Sequence, residues 1–221
     1  MSKHPAGVLF LGKADDAHVS RALDFCRANF AKVDAVLGKW GDPKPPCFAT
    51  WKGEYIFSFL SRWVLPGSLL DRAEKAALNF HPATPDYPGI GCNNFALYEN
   101  APTYGATCHH MKPKVDTGDI VAVTRFPVFE SDGVASILAR TYDHQLVLFY
   151  DIVGGIVQGR ELPRSTERWT RRPFTRTELD ELGRITPDMS REEIARRLRA
   201  TRFGAFKPQV TIQGFTFELK D

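Results

Sequence analysis

An α/β fold carried on a mostly parallel, twisted sheet is what this sequence predicts, and three observations predict it. Short apolar runs of strand length alternate with helix-period segments through the first 160 residues. A hydrophobic content of 43% over 221 residues, against 25% charged, suffices for a substantial core and excludes a disordered chain. No run approaches the roughly 18 apolar residues of a membrane-spanning helix. Composition then divides the chain into a main domain over residues 1–160 and an extension over 161–221, the latter ending in a small helix and a β-hairpin.

The elements follow in order. GVLFLG (7–12) is continuously apolar, as a strand buried on both faces should be. Acidic residues follow it where a leader would carry a small-residue cleavage site, so it reads as the first strand and the expected location is cytoplasmic. Residues 15–30 set Val19, Leu23, Phe25 and Phe30 among charges, an amphipathic helix. VDAVLG (33–38), EYIFSFLS (54–61) and LNFHP (78–82) are the next strands, with a helix expected over about residues 65–77. Such alternation implies βαβ units with right-handed crossovers, in which ligands bind beyond the carboxyl ends of the strands.

YGATCHHM (104–111) and DIVAVTRFPV (119–128) read as two further strands joined by a loop that carries Asp116. Residues 131–157 form the longest helical segment, with Ile137, Leu146, Phe149, Ile152, Val153 and Ile156 on one face and Gly159 as its stop. From Leu162 the chain turns rich in Arg and Thr and reads as an extended tail that wraps the main domain. Ser190 and Glu193 predict a capping box for a short basic helix, and residues 209–219 a hairpin about Gln213–Gly214.

Several chemistries lose their support. No GxGxxG follows the first strand and no GxxxxGK[ST] occurs, which removes the dinucleotide and P-loop signatures; GxSxG is missing as well. A formal charge of +3 suits a small anionic ligand and does not call for nucleic acid. Cys26, Cys47, Cys92 and Cys108 have no CxxC spacing and read as buried free thiols. Cys108 adjoins His109 and His110, but no second ligand cluster accompanies them, so no metal is expected.

NFHPATPDYPGIGCNNFALYE (79–99) is the informative stretch. It puts Asn79 and His81 at a strand end and stiffens the following loop with three prolines. Acyl transfer to an amine needs a proton acceptor, a donor to the developing oxyanion, and a group that orients the acceptor. His81, Asn79 and Asp116 supply these in turn. The amine attacks directly, so neither a Ser nor a Cys nucleophile is required.

NFHPATPDYPG (79–89) followed by YGATCHHMKPKVDTGDIV (104–121) resembles the 10-formyltetrahydrofolate-dependent formyltransferases, over roughly residues 54–130. The resemblance implies a Rossmann-like formyltransferase domain in which Asn79, His81 and Asp116 are catalytic. It implies 10-formyltetrahydrofolate as co-substrate, its pterin held largely by backbone from Arg62, Trp63, Val64 and Leu65 and from Lys112 to Val115, with no metal. His109 matches the His of the family's T-x-H strand and is expected at the substrate.

A methionyl-tRNA enzyme would add a C-terminal barrel, for which the chain ends too early. The glycinamide ribonucleotide enzyme would place a Gly-rich phosphate loop where LFLGKADDAHV stands. The sugar-nucleotide N-formyltransferase branch fits best. It implies a GDP- or dTDP-linked amino-dideoxy sugar as acceptor, with GDP-4-amino-4,6-dideoxymannose placed first, for O-antigen synthesis, and a homodimer. Lys13, Tyr87, Asn93 and Asn94 are then expected at the sugar and pyrophosphate, whereas Phe95 and Tyr98 read as helix packing. The alternatives are a formyl-folate hydrolase, formyl transfer to another amine, and a non-catalytic folate- or nucleotide-binding module.

Overall fold

A computed structural model of the chain describes residues 2–204 and 206–219. The main sheet draws on β1 (His4–Lys13), β2 (Phe30–Gly38), β3 (Gly53–Phe59), β4 (Ala73–His81), β5 (Thr103–His110) and β6 (Ile120–Pro127). Their order across it is β2-β1-β3-β4-β5-β6. The first four strands run parallel, β5 runs antiparallel to β4, and β6 runs antiparallel to β5. The mostly parallel α/β sheet expected from the strand-length runs is therefore the architecture found.

Alternation along the strands builds two layers. Val8, Phe10, Phe57, Phe59, Leu78 and Phe80 face α1 (Ala17–Asn29) and α4 (Val134–Val157), where Phe149 packs among Phe10, Phe57, Phe59 and Phe80. Leu9, Leu11 and Ile56 face the other way, against Phe48, Trp51, Leu65 and Leu69. Val8 to Leu11 are all fully buried, which is why β1 reads as an unbroken apolar run. By the same alternation Asn79 and His81 point away from the α4 layer.

α1 is capped by Asp16, whose carboxylate accepts from the His18 and Val19 amides. α4 ends at Gly159 in a Schellman turn. There the Arg160 amide reaches the Gly155 carbonyl and the Gly159 amide the Ile156 carbonyl, with Gly159 at φ 73.

Two expectations are corrected. The helix expected over 65–77 shrinks to the single turn α2 (Gly67–Leu70), and residues from Ala73 on already belong to β4. Ala, Glu and Lys in that stretch favour a helix, but pairing of Ala73, Ala76 and Ala77 with β3 overrides propensity. The capping box expected at α6 (Arg191–Thr201) forms by half. Ser190 accepts from the Glu193 amide, but the Glu193 carboxylate turns to Arg196, Arg197 and Tyr98. A reciprocal box occurs instead at Thr175 and Glu178, which open α5 (Arg176–Leu182).

The tail wraps the sheet edge as an extended strap before α5. The Ser165 amide bonds the Ile120 carbonyl, Thr170 bonds Pro85, and Phe174 bonds Pro88 while accepting from Ile90. Phe174 stacks on Phe95 of α3 (Cys92–Tyr98) at 3.8 Å. Leu179, Leu182 and Ala200 then complete a second apolar cluster with Tyr87, Phe95, Tyr104 and Phe126. Beyond α5, β7 (Arg184–Ile185) pairs with the hairpin of β8 (Gln209–Ile212) and β9 (Phe215–Glu218), which turns at Gln213–Gly214 with both residues at positive φ. Among the described residues no helix is long and apolar enough to cross a membrane.

Candidate active site

The register between β4 and β5 assembles the site. Asn79 lies directly opposite His109, and His81 opposite Thr107, so the side chains of Asn79, His81 and His109 share one face at the carboxyl end of β4. Asn79 Nδ2 lies 3.1 Å from His109 Nε2, and His109 Nδ1 lies 2.9 Å from the His110 carbonyl. A carbonyl only accepts, so the His109 proton sits on Nδ1 and the Nε2 lone pair accepts one of the two Asn79 amide N–H groups.

Asp116 arrives from the β5–β6 loop. Its Oδ2 is 3.5 Å from His81 Nδ1, its Oδ1 is 3.4 Å from His109 Nε2, and the Gly89 amide donates to Oδ2 at 2.8 Å. Asp116 takes a left-handed backbone, φ 49, which Asp tolerates better than most residues. The loop can fold back this far because of Gly118: a Cβ there would lie 1.6 Å from the His110 carbonyl oxygen. A register shift between Cys108 and His109 marks the same place. Burial by itself would raise the Asp116 carboxyl; the His81 and His109 imidazoles in their protonated form, together with the Gly89 amide, outweigh it and hold it at about 2. Asp116 is therefore an anion at neutral pH.

His81, His109 and Asp116 are all buried. The second nitrogen of His81, Nε2, lies 3.1 Å from the Tyr87 carbonyl and so carries a proton, leaving Nδ1 to face the carboxylate. A proton taken up at Nδ1 would turn lone-pair repulsion into a charge pair.

The remaining sequence candidates make contacts of their own. Tyr87 is present through its backbone. Arg62 to Leu65 lie just past β3, and Lys112 and Val115 lie in the β5–β6 loop. The two segments come together where Gly67 meets Pro113, and Met111 packs on the cluster that holds Leu65. Val64 and Val115 are exposed, while Trp63 packs under Gly38 and donates to the Asp42 and Pro43 carbonyls. Lys13 pairs with Asp16 at the end of β1. Asn93 and Asn94 sit inside α3 rather than capping it, since Gly91 is the N-cap, and the Asn94 amide is committed to the Ala200 carbonyl at 2.6 Å. Phe95 and Tyr98 pack against the tail, as their helix positions suggested.

Trp169 is the residue that sequence reasoning missed. It comes from the strap, stands edge-to-face on both His81 and His109 with centroids 5.8 and 5.0 Å away, and anchors Nε1 on the Gly118 carbonyl at 2.8 Å. A lone Trp in a tail poor in aliphatic residues was the one available signal.

An antiparallel pair is thus appended to a parallel sheet, with Asn, His and Asp gathered at the strand end where they meet. Residues 55–153, from β3 to α4, match the formyl transferase family. A GDP-perosamine N-formyltransferase of Brucella melitensis is 28% identical over 163 residues, which cover 73% of this chain and 62% of that relative's length. Among solved structures, a 4-N formyltransferase from Francisella tularensis superposes with a TM-score of 0.78 at 17% identity, covering 96% of each chain. An N-formyltransferase from Helicobacter canadensis in complex with folinic acid and dTDP-3-aminofucose superposes with a TM-score of 0.73 at 17% identity, covering 94% of this chain and 84% of that one. At these identities the structural likeness is one of fold.

Proposed function

We propose that this chain is a sugar N-formyltransferase that moves the formyl group of 10-formyltetrahydrofolate to the amine of a nucleotide-linked amino sugar, as a step toward O-antigen. The observation that carries the reading is the cluster of buried His81, His109 and Asp116 with half-buried Asn79, gathered at the carboxyl end of β4. The neutral sugar amine attacks the formyl carbon. Asn79 keeps one N–H on His109 and turns the other to the oxyanion. His81 takes the amine proton at Nδ1, directly or through a water, and the Asp116 anion stabilises the imidazolium that results. The carbon–nitrogen bond to folate then breaks, and the folate nitrogen leaves with the proton that His81 had taken up.

The residues present fit the folate. Arg62 to Leu65 and Lys112 to Val115 bring two stretches of loop backbone together beyond β3 and β5, and backbone donors and acceptors suit the hydrogen-bonding edge of a pterin. Folinic acid in the Helicobacter neighbour supports this assignment. Lys13, Tyr87, Asn93, Asn94 and His109 are kept for the sugar side, with His109 acting through Asn79. GDP-perosamine, named for the Brucella relative, is the first acceptor to try and a dTDP-linked amino sugar the second.

Two further parts belong to the same reading. A cytoplasmic location is supported by four free cysteines, as a reducing compartment would keep them. A homodimer is supported by β9, an edge strand that exposes Phe215 and Phe217, with Ile212 exposed on the strand beside it. Replacing both phenylalanines with serine should turn a dimer into a monomer in sedimentation.

The deciding assay incubates the protein with 10-formyltetrahydrofolate and a panel of GDP- and dTDP-linked amino sugars, followed by mass spectrometry of the sugars. A gain of one carbonyl unit on any of them supports the reading. Formate release with no sugar modified would replace it with a formyl-folate hydrolase, in which water takes the place of the amine.

A further inference from the structure

We infer that Trp169 is a positioning residue of this site: its indole holds the imidazoles of His81 and His109 in the orientations that the reaction uses. Three observations converge on it. Both rings meet the indole nearly at right angles, with interplanar angles of 70° and 89°. One side chain thus fixes two imidazoles that belong to neighbouring strands and share the Asp116 carboxylate. The indole is itself tied down, since Nε1 donates to the carbonyl of Gly118, two residues past Asp116. The strap around it is pinned at both ends, by Ser165 to Ile120 and by Thr170 to Pro85.

The geometry explains why a wedge is needed. His109 is held at both nitrogens, by the His110 carbonyl and the Asn79 amide, whereas His81 is held through one nitrogen alone, by the Tyr87 carbonyl. The His81 ring can still rock about that single bond. Its contact with the carboxylate at 3.5 Å is too long to stop it. An aromatic face or edge against the ring removes that freedom. Orientation errors of this kind are expensive: a displacement of about 1 Å costs on the order of 10²-fold in rate.

The rate arm of this inference rests on formyl transfer being the reaction; the spectroscopic arm does not. Trp169→Leu fills much of the volume without ring faces, and Trp169→Phe restores a ring while losing the bond to Gly118. Nitrogen-15 NMR of the ligand-free protein reads the histidine tautomers. The wild type should show His81 protonated on Nε2 and His109 on Nδ1; Trp169→Leu should show averaged signals for His81, and Trp169→Phe should recover the fixed ones. In the transfer assay Trp169→Leu should lower kcat roughly tenfold or more with both KM values nearly unchanged, and Trp169→Phe should regain most of it.

Unaltered tautomers in Trp169→Leu would overturn the inference whatever the enzyme's substrate is. A rise in KM with kcat intact would overturn it too, by making Trp169 a substrate contact. Should wild-type protein transfer formyl to no amine, the NMR arm still decides the role of Trp169, and only the functional reading falls. If Trp169→Leu fails to fold, Trp169→Phe alone decides: wild-type tautomers in it support the ring's role, and averaged ones overturn it.

Discussion

At residue scale, Asp116 concentrates most of the site's constraint. Its carboxyl, at about 2, lies below the ordinary 3.8, so the ionised form stabilises the fold above about pH 4. That contribution fades as pH falls from about 4 through about 2. Asp116→Asn should therefore flatten this part of the pH dependence, seen as the difference between wild-type and variant unfolding free energies in denaturant titrations across that range. His81→Asn tests the chemistry: on the proposed reading turnover of the folded variant should fall by about 10² to 10⁴. Near-normal turnover would remove His81 from the reaction. Asn79, His81 and Asp116 were legible in the sequence because each adjoins an apolar strand and because prolines and DxG flank them. The pairing of Asn79 with His109 was not legible, since it depends on a register between β4 and β5 that no local pattern states.

Among the elements, the β5–β6 loop acts as a lever. Gly118→Ala would drive a Cβ to 1.6 Å from the His110 carbonyl oxygen, so the loop must shift and carry Asp116 away from both imidazoles. Activity should fall nearly as far as in Asp116→Asn, although residue 118 contributes no side chain to the site; parallel kcat measurements on the two variants check this. Strands were the legible elements here, because burial on both faces writes itself as an apolar run. The stretch 65–77 misled because Ala73 to Ala77 follow helix propensity in composition and β3 in pairing, and the pairing decides. The capping signal misled at Ser190 for a different reason, as Glu193 has arginine partners that the capping pattern does not count.

For the molecule as a whole, stability rests on the α4 face of the sheet. Phe149→Ala would open a cavity among Phe10, Phe57, Phe59 and Phe80 and should cost about 3–5 kcal/mol in chemical denaturation. The turn to Arg and Thr after Leu162 was visible in composition. What the tail does at the site was not, because Trp169 meets His81 and His109 across a separation that leaves no periodic trace.

The strap also sets an order in time. A chain made from its N-terminus presents Asn79, His81 and Asp116 about fifty residues before Trp169 is added, several seconds at ordinary elongation rates. The nascent protein thus holds a histidine pair that the indole does not yet steady. Completion of the last quarter of the chain, more than formation of the sheet, is the event that makes the site whole.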